Sequence, residues 1–108
     1  MTKTNILTKD VISFLTLKKY KVWRNNNGAV YDVKAKCFRK NQTTLLGVPD
    51  IIGYNKLDGT FIGVEIKTGK DKLSPMQIDF QNECIKHDVL YIVVKEINDI
   101  INHKKINQ

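Results

Sequence analysis

The fold is decided by the stretch PDIIGYNKLDGTFIGVEIK, residues 49–67. Two runs rich in β-branched and aromatic residues, Asp50–Tyr54 and Thr60–Lys67, lie on either side of the turn sequence LDG. This pattern predicts a β-hairpin. From Ile62 to Ile66, the larger apolar side chains occupy every second position, which is the period of a half-buried strand.

Upstream of the hairpin, apolar side chains recur at helical spacing and predict an amphipathic helix over residues 5–19. Two short strands, 22–24 and 29–33, flank the sequence NNNG. An Asn-Gly step between strands predicts a second hairpin, because both residues tolerate positive φ. Trp23 is predicted to lie in the core. Residues 34–48 show no period and are predicted to form a loop.

Downstream of the hairpin, the sequence SPMQ at 74–77 opens a helix that is predicted to run to about His87. Serine is a favoured N-cap, proline suits the first helical position, and glutamine three residues after the cap completes a capping box. A buried strand over Tyr91–Val94 and a short terminal helix follow. The inner stripe of the capped helix is predicted to contain Met76, Phe80 and Cys84.

The predicted element order is α-β-β-β-β-α-β-α, an α/β fold of the α+β kind with helices packed on a mixed sheet. The length of 108 residues predicts one domain that spans 1–108. The longest apolar run, Val89–Val94, has six residues, whereas a membrane helix needs about 20, so no membrane partner is expected. Cys37 and Cys84 have no paired spacing, which favours a reducing, cytoplasmic location.

Charge is distributed unevenly along the chain. Residues 1–48 carry ten basic and two acidic side chains, a net of +8, whereas residues 49–108 carry eight basic and nine acidic ones, a net of −1. A basic half beside a neutral half favours a surface that faces nucleic acid; the alternative is a solvated lysine-rich surface. The densest group, which we call the basic cluster, consists of Lys34, Lys36, Arg39 and Lys40.

Three charged side chains of the hairpin, Asp50, Glu65 and Lys67, form the candidate catalytic site. Two turn positions remain open: in one register Asp50 lies opposite Glu65, and in the other it lies opposite Lys67 with Glu65 one step diagonal. In both, the three side chains leave the same face, and opposed Cβ atoms are about 5 Å apart. The two carboxylates could therefore share one divalent cation, with the main-chain carbonyl of Ile66 as a further ligand.

A cation held there would lower the pKa of a bound water and neutralise charge on a phosphate oxygen, while Lys67 would orient the water or the phosphate. The simpler alternative is an exposed cross-strand ion pair worth at most about 1 kcal/mol. Pro49 and the downstream helix with Gln77 favour the metal site. Two roles remain open for Gln77, as a helix cap or as an active-site residue. Arg24 is either a phosphate ligand or an exposed structural arginine.

Three motifs, GVPDII at 47–52, GVEIK at 63–67 and LSPMQ at 73–77, resemble the VRR-NUC branch of the PD-(D/E)XK nuclease superfamily. WRNNNG at 23–28 is similar to the upstream Arg-and-Gly hairpin of that branch. The resemblance covers about residues 5–95. It implies a restriction-endonuclease-like PD-(D/E)XK core of order α-β-β-β-α-β with a terminal helix.

The resemblance also implies a Mg²⁺- or Mn²⁺-dependent phosphodiesterase. Asp50 and Glu65 would bind the metal, Lys67 would be the catalytic lysine, and Gln77 would support the active site. The family carries a glutamate in its first helix near the metal, at about the position where this chain has Thr8. The only acid of that helix is offset by about two residues, so the metal would rest on fewer acids.

Small stand-alone members of this branch, common in phage genomes, are similar to dimeric endonucleases that act on branched DNA. We therefore expect a structure-selective endodeoxyribonuclease, similar to a Holliday-junction resolvase, that works as a homodimer without an organic cofactor. Arg24 and the basic cluster would contact DNA. One alternative is a non-catalytic DNA-binding or interaction module of the same fold. Another is a restriction-type, sequence-specific endonuclease, which the small size disfavours.

Overall fold

The computed structural model describes residues 2–25, 30–39 and 45–107. Within these ranges a four-stranded sheet has the order β1-β4-β5-β6, with β6 parallel to β5 and the other neighbours antiparallel, and β2 pairs with β3 separately. No helix of the described ranges has the length and apolarity needed to cross a bilayer. The predicted mixed sheet with helices is confirmed. The elements are α1 (Lys3–Leu17), β1 (Tyr20–Arg24), β2 (Val30–Asp32), β3 (Cys37–Arg39), β4 (Ile51–Asn55), β5 (Phe61–Ile66), α2 (Pro75–Lys86), β6 (Leu90–Val94) and α3 (Asn98–Ile101).

The hydrophobic core lies on one face of the sheet, which we call the core face. Every second residue of β5 from Ile62 to Ile66 is buried there, and Ile100 of α3 joins the same cluster. The apolar side chains of α1 recur every four residues, which gives the helix one apolar stripe. This stripe packs on the core face through Leu7, Val11 and Leu15.

The other face of the sheet, the outer face, is partly covered by α2. Phe80 of α2 contacts Tyr91 of β6, with ring centroids 6.3 Å apart. Tyr91 alternates with the buried Ile92, so it points to the face opposite the core. The sheet thus lies between α1 and α3 on one side and α2 on the other.

The predicted hairpin between residues 22–24 and 29–33 is wrong. β1 pairs with β4 because Tyr20 and Val22 are buried in the core cluster with α1, and Val30–Asp32 pairs with Cys37–Arg39 instead. The prediction of a loop over 34–48 is therefore wrong at β3. Most of the NNNG sequence lies outside the described residues.

Three further details of the sequence prediction are corrected. The first helix spans Lys3–Leu17 rather than 5–19, and it ends before Lys19, whose φ is +73°. Trp23 is 45% exposed rather than buried, because it alternates with Val22 and lies on the outer face. Met76 is 48% exposed, so the inner stripe of α2 is narrower than predicted, with Cys84 as its buried member.

Candidate active site

The candidate active site is a cavity of about 290 Å³ beside the hairpin of β4 and β5. Nine of the described residues line it, and three of them are Thr4, Thr8 and Asn25. The hairpin, the first helix and the capped helix therefore meet at one site. Six residues singled out in the sequence line it together, namely Arg24, Asp50, Glu65, Ile66, Lys67 and Gln77.

Asp50 and Glu65 face each other across the hairpin. The strands pair with Ile51 opposite Val64, and continuing this register by one residue brings Asp50 opposite Glu65. The first of the two registers left open by the sequence is thus confirmed. Asp50 is held by its Oδ2 atom, which accepts a hydrogen bond of 2.9 Å from the backbone N–H of Ile66.

Glu65 is only 1% exposed, which is costly for an ionised carboxylate. Its Oε1 atom accepts a hydrogen bond of 3.1 Å from Nε2 of Gln77, whereas Oε2 is buried with no hydrogen-bond partner among the described residues. Burial and the neighbouring Asp50 carboxyl raise the pKa of Glu65 to about 8, and the charge of Lys67 opposes the shift. At neutral pH the carboxyl pair is therefore stabilised by a proton or by a cation.

Gln77 makes both contacts that the sequence left as alternatives. Its side-chain oxygen accepts a hydrogen bond of 2.8 Å from the N–H of Ser74, and Oγ of Ser74 accepts one of 3.2 Å from the N–H of Gln77. These two bonds form a complete capping box. The side-chain nitrogen donates to Glu65. One carboxamide thus fixes the start of α2 and orients a carboxylate of the cavity.

Two glycines allow the segment before Asp50 to pack closely. Gly47 has a φ of +81°, and a Cβ atom there would overlap the carbonyl oxygen of Met76 in the first turn of α2. A Cβ atom at Gly63 would lie 2.8 Å from Cγ of Pro49. The backbone that leads into Asp50 is therefore wedged between β5 and the first turn of α2.

The α1 side of the cavity carries hydroxyl groups where the resemblance implies an acid. Thr8 is 3% exposed, and its Oγ1 atom donates a hydrogen bond of 2.7 Å to the carbonyl of Thr4. Asp10 lines a different groove. In the part of the chain that the structure describes, no group of three or more His, Cys, Asp or Glu side chains is arranged to hold a metal. The cavity therefore offers two carboxylates and the hydroxyls of Thr4 and Thr8.

The candidate DNA-binding residues are divided between two places. Arg24 lines the cavity, and its Nη2 atom donates a hydrogen bond of 3.0 Å to Oδ1 of Asn5. The basic cluster does not line the cavity in the described residues. Its members are Lys34 and Lys36, exposed in the turn after β2, Arg39 at the end of β3, and Lys40, which lies outside the described residues.

Two residues at or beside the site were missed in the sequence. Asn25 donates its backbone N–H to the carbonyl of Asp50 at 2.7 Å and ties the end of β1 to the start of β4. Tyr91 shares the outer face with Glu65, and its hydroxyl is buried without a hydrogen-bond partner among the described residues. Burial, followed by the charge of Glu65, raises the pKa of Tyr91, so the hydroxyl stays protonated at neutral pH. Its alternation with Ile92 indicates that it points away from the core, but the sequence carries no signal of its proximity to Glu65.

Comparisons with known proteins identify the family and the fold of the chain. The family model described as VRR-NUC domain matches residues 7–96. A solved structure described as a VRR_NUC domain aligns with a TM-score of 0.67 at 18% sequence identity, covering 96% of this chain and 99% of the other. No curated protein matches the sequence significantly. The fold is of the PD-(D/E)XK kind, and the chain belongs to the VRR-NUC family of nuclease-type domains.

Proposed function

We propose that this chain is a Mg²⁺- or Mn²⁺-dependent DNA endonuclease that hydrolyses phosphodiester bonds, prefers branched DNA and acts as a homodimer. The observation that carries the proposal is the buried carboxylate of Glu65 opposite Asp50, with an oxygen atom that lacks a partner among the described residues. Membership of a nuclease-type family supports the same class of reaction. The preference for branched DNA and the dimer are carried over from the resemblance.

The donor set fits a divalent cation. Carboxylate and carbonyl oxygens suit Mg²⁺ and Mn²⁺, and Asp50, Glu65 and the main-chain carbonyl of Ile66 would hold the ion. Its charge would supply the partner that Oε2 of Glu65 lacks among the described residues and would offset the cost of burying that carboxylate. When bound, such an ion activates water and neutralises charge on the phosphate.

The other side chains of the cavity have separate tasks in the proposed reaction. Lys67 orients the attacking water or the scissile phosphate and stabilises negative charge in the transition state. Gln77 keeps Glu65 in one orientation through the 3.1 Å hydrogen bond. Arg24, which Asn5 holds at the cavity, binds a phosphate next to the scissile one.

Cleavage of labelled junction, flap and linear DNA in Mg²⁺, Mn²⁺ or EDTA tests the proposal. We expect cleavage of branched DNA that EDTA abolishes. Asp50→Asn and Glu65→Gln should reduce the rate by several orders of magnitude, because they remove ligands of a Lewis acid, while the fold survives. Asp10→Asn, a matched change in a different groove, should cut like the wild type. Wild-type rates in either site variant would contradict the proposal.

The second candidate function is a non-catalytic DNA-binding module. It is favoured by one observation, the hydroxyl of Thr8 where the family carries an acid. Tight DNA binding without cleavage in Mg²⁺ and in Mn²⁺ would establish this function instead. Sedimentation of the free and DNA-bound chain tests the homodimer in the same samples.

The basic cluster is proposed to bind the phosphates of a DNA arm. Replacing its four members by alanine should weaken binding and reduce the salt dependence of affinity by up to about four contacts. Lys104 and Lys105, exposed near the C-terminus, provide a control pair that should leave the salt dependence unchanged. An unchanged slope in the quadruple variant would show that DNA is held elsewhere.

A further inference from the structure

Three aromatic side chains lie exposed on the outer face of the sheet, beside the candidate active site. Trp23 of β1, Tyr54 of β4 and Phe61 of β5 are 45%, 43% and 38% exposed. Tyr54 lies opposite Phe61 in the strand register and one diagonal step from Trp23. The rings of Trp23 and Tyr54 meet edge to face, with centroids 6.5 Å apart and an interplanar angle of 71°. We call these three residues the aromatic cluster.

The described structure leaves this part of the outer face open. α2 packs on the β6 side of the same face, where Phe80 contacts Tyr91, and Pro49 packs over Gly63. The aromatic cluster nevertheless keeps more than a third of its surface in water. Contiguous apolar surface of this kind on a folded protein is typical of a binding site.

The aromatic cluster adjoins the two carboxylates of the cavity. Trp23 lies opposite Ile52, and Asp50 precedes Ile52 by two residues on the same strand face. Two residues of a strand span about 7 Å and neighbouring strands lie about 5 Å apart, so roughly 9 Å separates the Cα atoms of Trp23 and Asp50. A polymer whose backbone is held at the cavity, which Arg24 and Lys67 also line, would bring a neighbouring unit over the cluster.

The charges around the aromatic cluster fit a polyanion. Lys21 is exposed and lies directly opposite Tyr54. In β1, β4 and β5, the outer-face positions carry no acidic side chain except Glu65, which belongs to the cavity. An anionic polymer with flat apolar groups satisfies both the rings and the lysine, and DNA with unstacked bases has that chemistry.

We propose that the aromatic cluster binds unpaired bases next to the scissile bond, so that the preferred substrate is DNA in which a single strand adjoins a duplex. This inference rests on the proposed function and adds that unpaired bases are the part of the substrate that the protein recognises. Aromatic side chains stack on bases of any sequence, because every base has a π face. Bases inside a duplex already stack on their neighbours, so the cluster discriminates between single-stranded and fully paired DNA.

Trp23 is the only tryptophan of the chain, so its fluorescence reports on the aromatic cluster alone. The intact chain is titrated in EDTA with a duplex that carries a single-stranded thymidine overhang and with a blunt duplex of equal length. We expect the overhang DNA to quench the emission and the blunt duplex to leave it unchanged. In anisotropy titrations, Trp23→Ala should weaken overhang binding by about 5- to 150-fold and blunt-duplex binding very little, whereas Trp23→Phe should keep the preference.

Two alanine variants of the aromatic cluster, at Trp23 and Tyr54, are compared with one control variant. Tyr54→Ala should also reduce the preference, and Leu17→Ala, which removes a 79% exposed side chain of α1, should not. Melting temperatures verify that each variant is folded. Equal quenching by both DNAs, or an unchanged preference in both Trp23→Ala and Tyr54→Ala, overturns the inference. A shift of the emission with protein concentration in the absence of DNA also overturns it, because the cluster would then be a protein interface.

Failure of this inference is distinguishable from failure of the proposed function. Metal-dependent cleavage without fluorescence quenching refutes the base-binding role and leaves the nuclease. Quenching by overhang DNA without cleavage in Mg²⁺ or Mn²⁺ refutes the nuclease and leaves a module that binds unpaired bases through Trp23.

Discussion

Replacing Gln77 should impair both helix stability and the site, whereas replacing Ser74 should impair stability alone. Gln77→Ala removes the hydrogen bond that Gln77 Oε1 accepts from the N–H of Ser74 and the one that Nε2 donates to Glu65. Ser74→Ala removes only the bond from the N–H of Gln77 to Oγ of Ser74. The two variants share a damaged capping box and differ in the contact with Glu65.

The expected magnitudes follow from these bonds. Loss of an N-cap interaction costs about 0.5–2 kcal/mol, and 1 kcal/mol lowers the Tm of a domain of this size by roughly 4 °C. Both variants should therefore melt roughly 2–8 °C below the wild type. Removing a group that orients a metal ligand costs about 10- to 100-fold in metal affinity or activity. Only Gln77→Ala should show that second loss, because only there does Glu65 lose its donor.

Calorimetric Mg²⁺ titrations and cleavage rates, both measured well below the lower melting temperature, separate the two effects. Ser74→Ala should match the wild type in both assays. If Ser74→Ala loses as much activity as Gln77→Ala, the start of α2 matters and the contact with Glu65 does not. If Gln77→Ala binds metal and cleaves like the wild type, the reasoning about that hydrogen bond is refuted.

Three further predictions concern the same cavity. Lys67→Ala should retain Mg²⁺ affinity, because a protonated lysine is no metal ligand, yet lose most cleavage; wild-type cleavage would reduce Lys67 to an ion-pair partner. Thr8→Glu should tighten Mg²⁺ binding in calorimetry by roughly tenfold, or about 1.4 kcal/mol, and lower the Tm in EDTA, whereas Asp10→Ala should change neither. The raised pKa of Glu65, about 8 when folded, means that the metal-free folded chain holds a proton that the unfolded chain has released. The free energy of unfolding in EDTA should therefore fall as pH rises from about 5 to about 8. Each pH unit in this range removes up to about 1.4 kcal/mol. Melting scans of Glu65→Gln should show no such fall.

The hairpin and the cap were predictable because their signals are local. The alternation in β5 and the turn sequence LDG specify one hairpin, and the sequence from Ser74 to Gln77 specifies one helix start. The hairpin geometry predicted that Asp50 and Glu65 lie on the same face, and it left two registers open for their exact positions. The sequence left two roles open for Gln77, and its hydrogen bond to Glu65 could not be derived from the local pattern, because that contact depends on where the whole helix docks relative to β5.

The wrong predictions concern contacts between segments that lie far apart in the sequence. Residues 22–24 carry strand propensity, but their partner is decided by burial against α1 and not by the nearby Asn-Gly step. Trp23 has a large apolar side chain, which favours a place in the core. It alternates with the buried Val22, however, and therefore lies on the face that α2 leaves open. Tyr91 does not line the cavity, and it shares the outer face with Glu65 because β6 pairs with β5 in this register. Such facts depend on topology, which no single segment encodes.

The packing of Gly47 has a consequence for tolerance to mutation. This residue has no functional group, yet its backbone touches the first turn of α2 so closely that an added methyl group would overlap the carbonyl of Met76. Gly47→Ala would displace that turn and carry Gln77 away from Glu65, in addition to straining a φ of +81°. In a saturation mutagenesis screen for function, a position without a side chain would then be as intolerant as Asp50. Activity would be lost there because the added atoms displace the backbone that positions the site, although no chemical group of the site is removed.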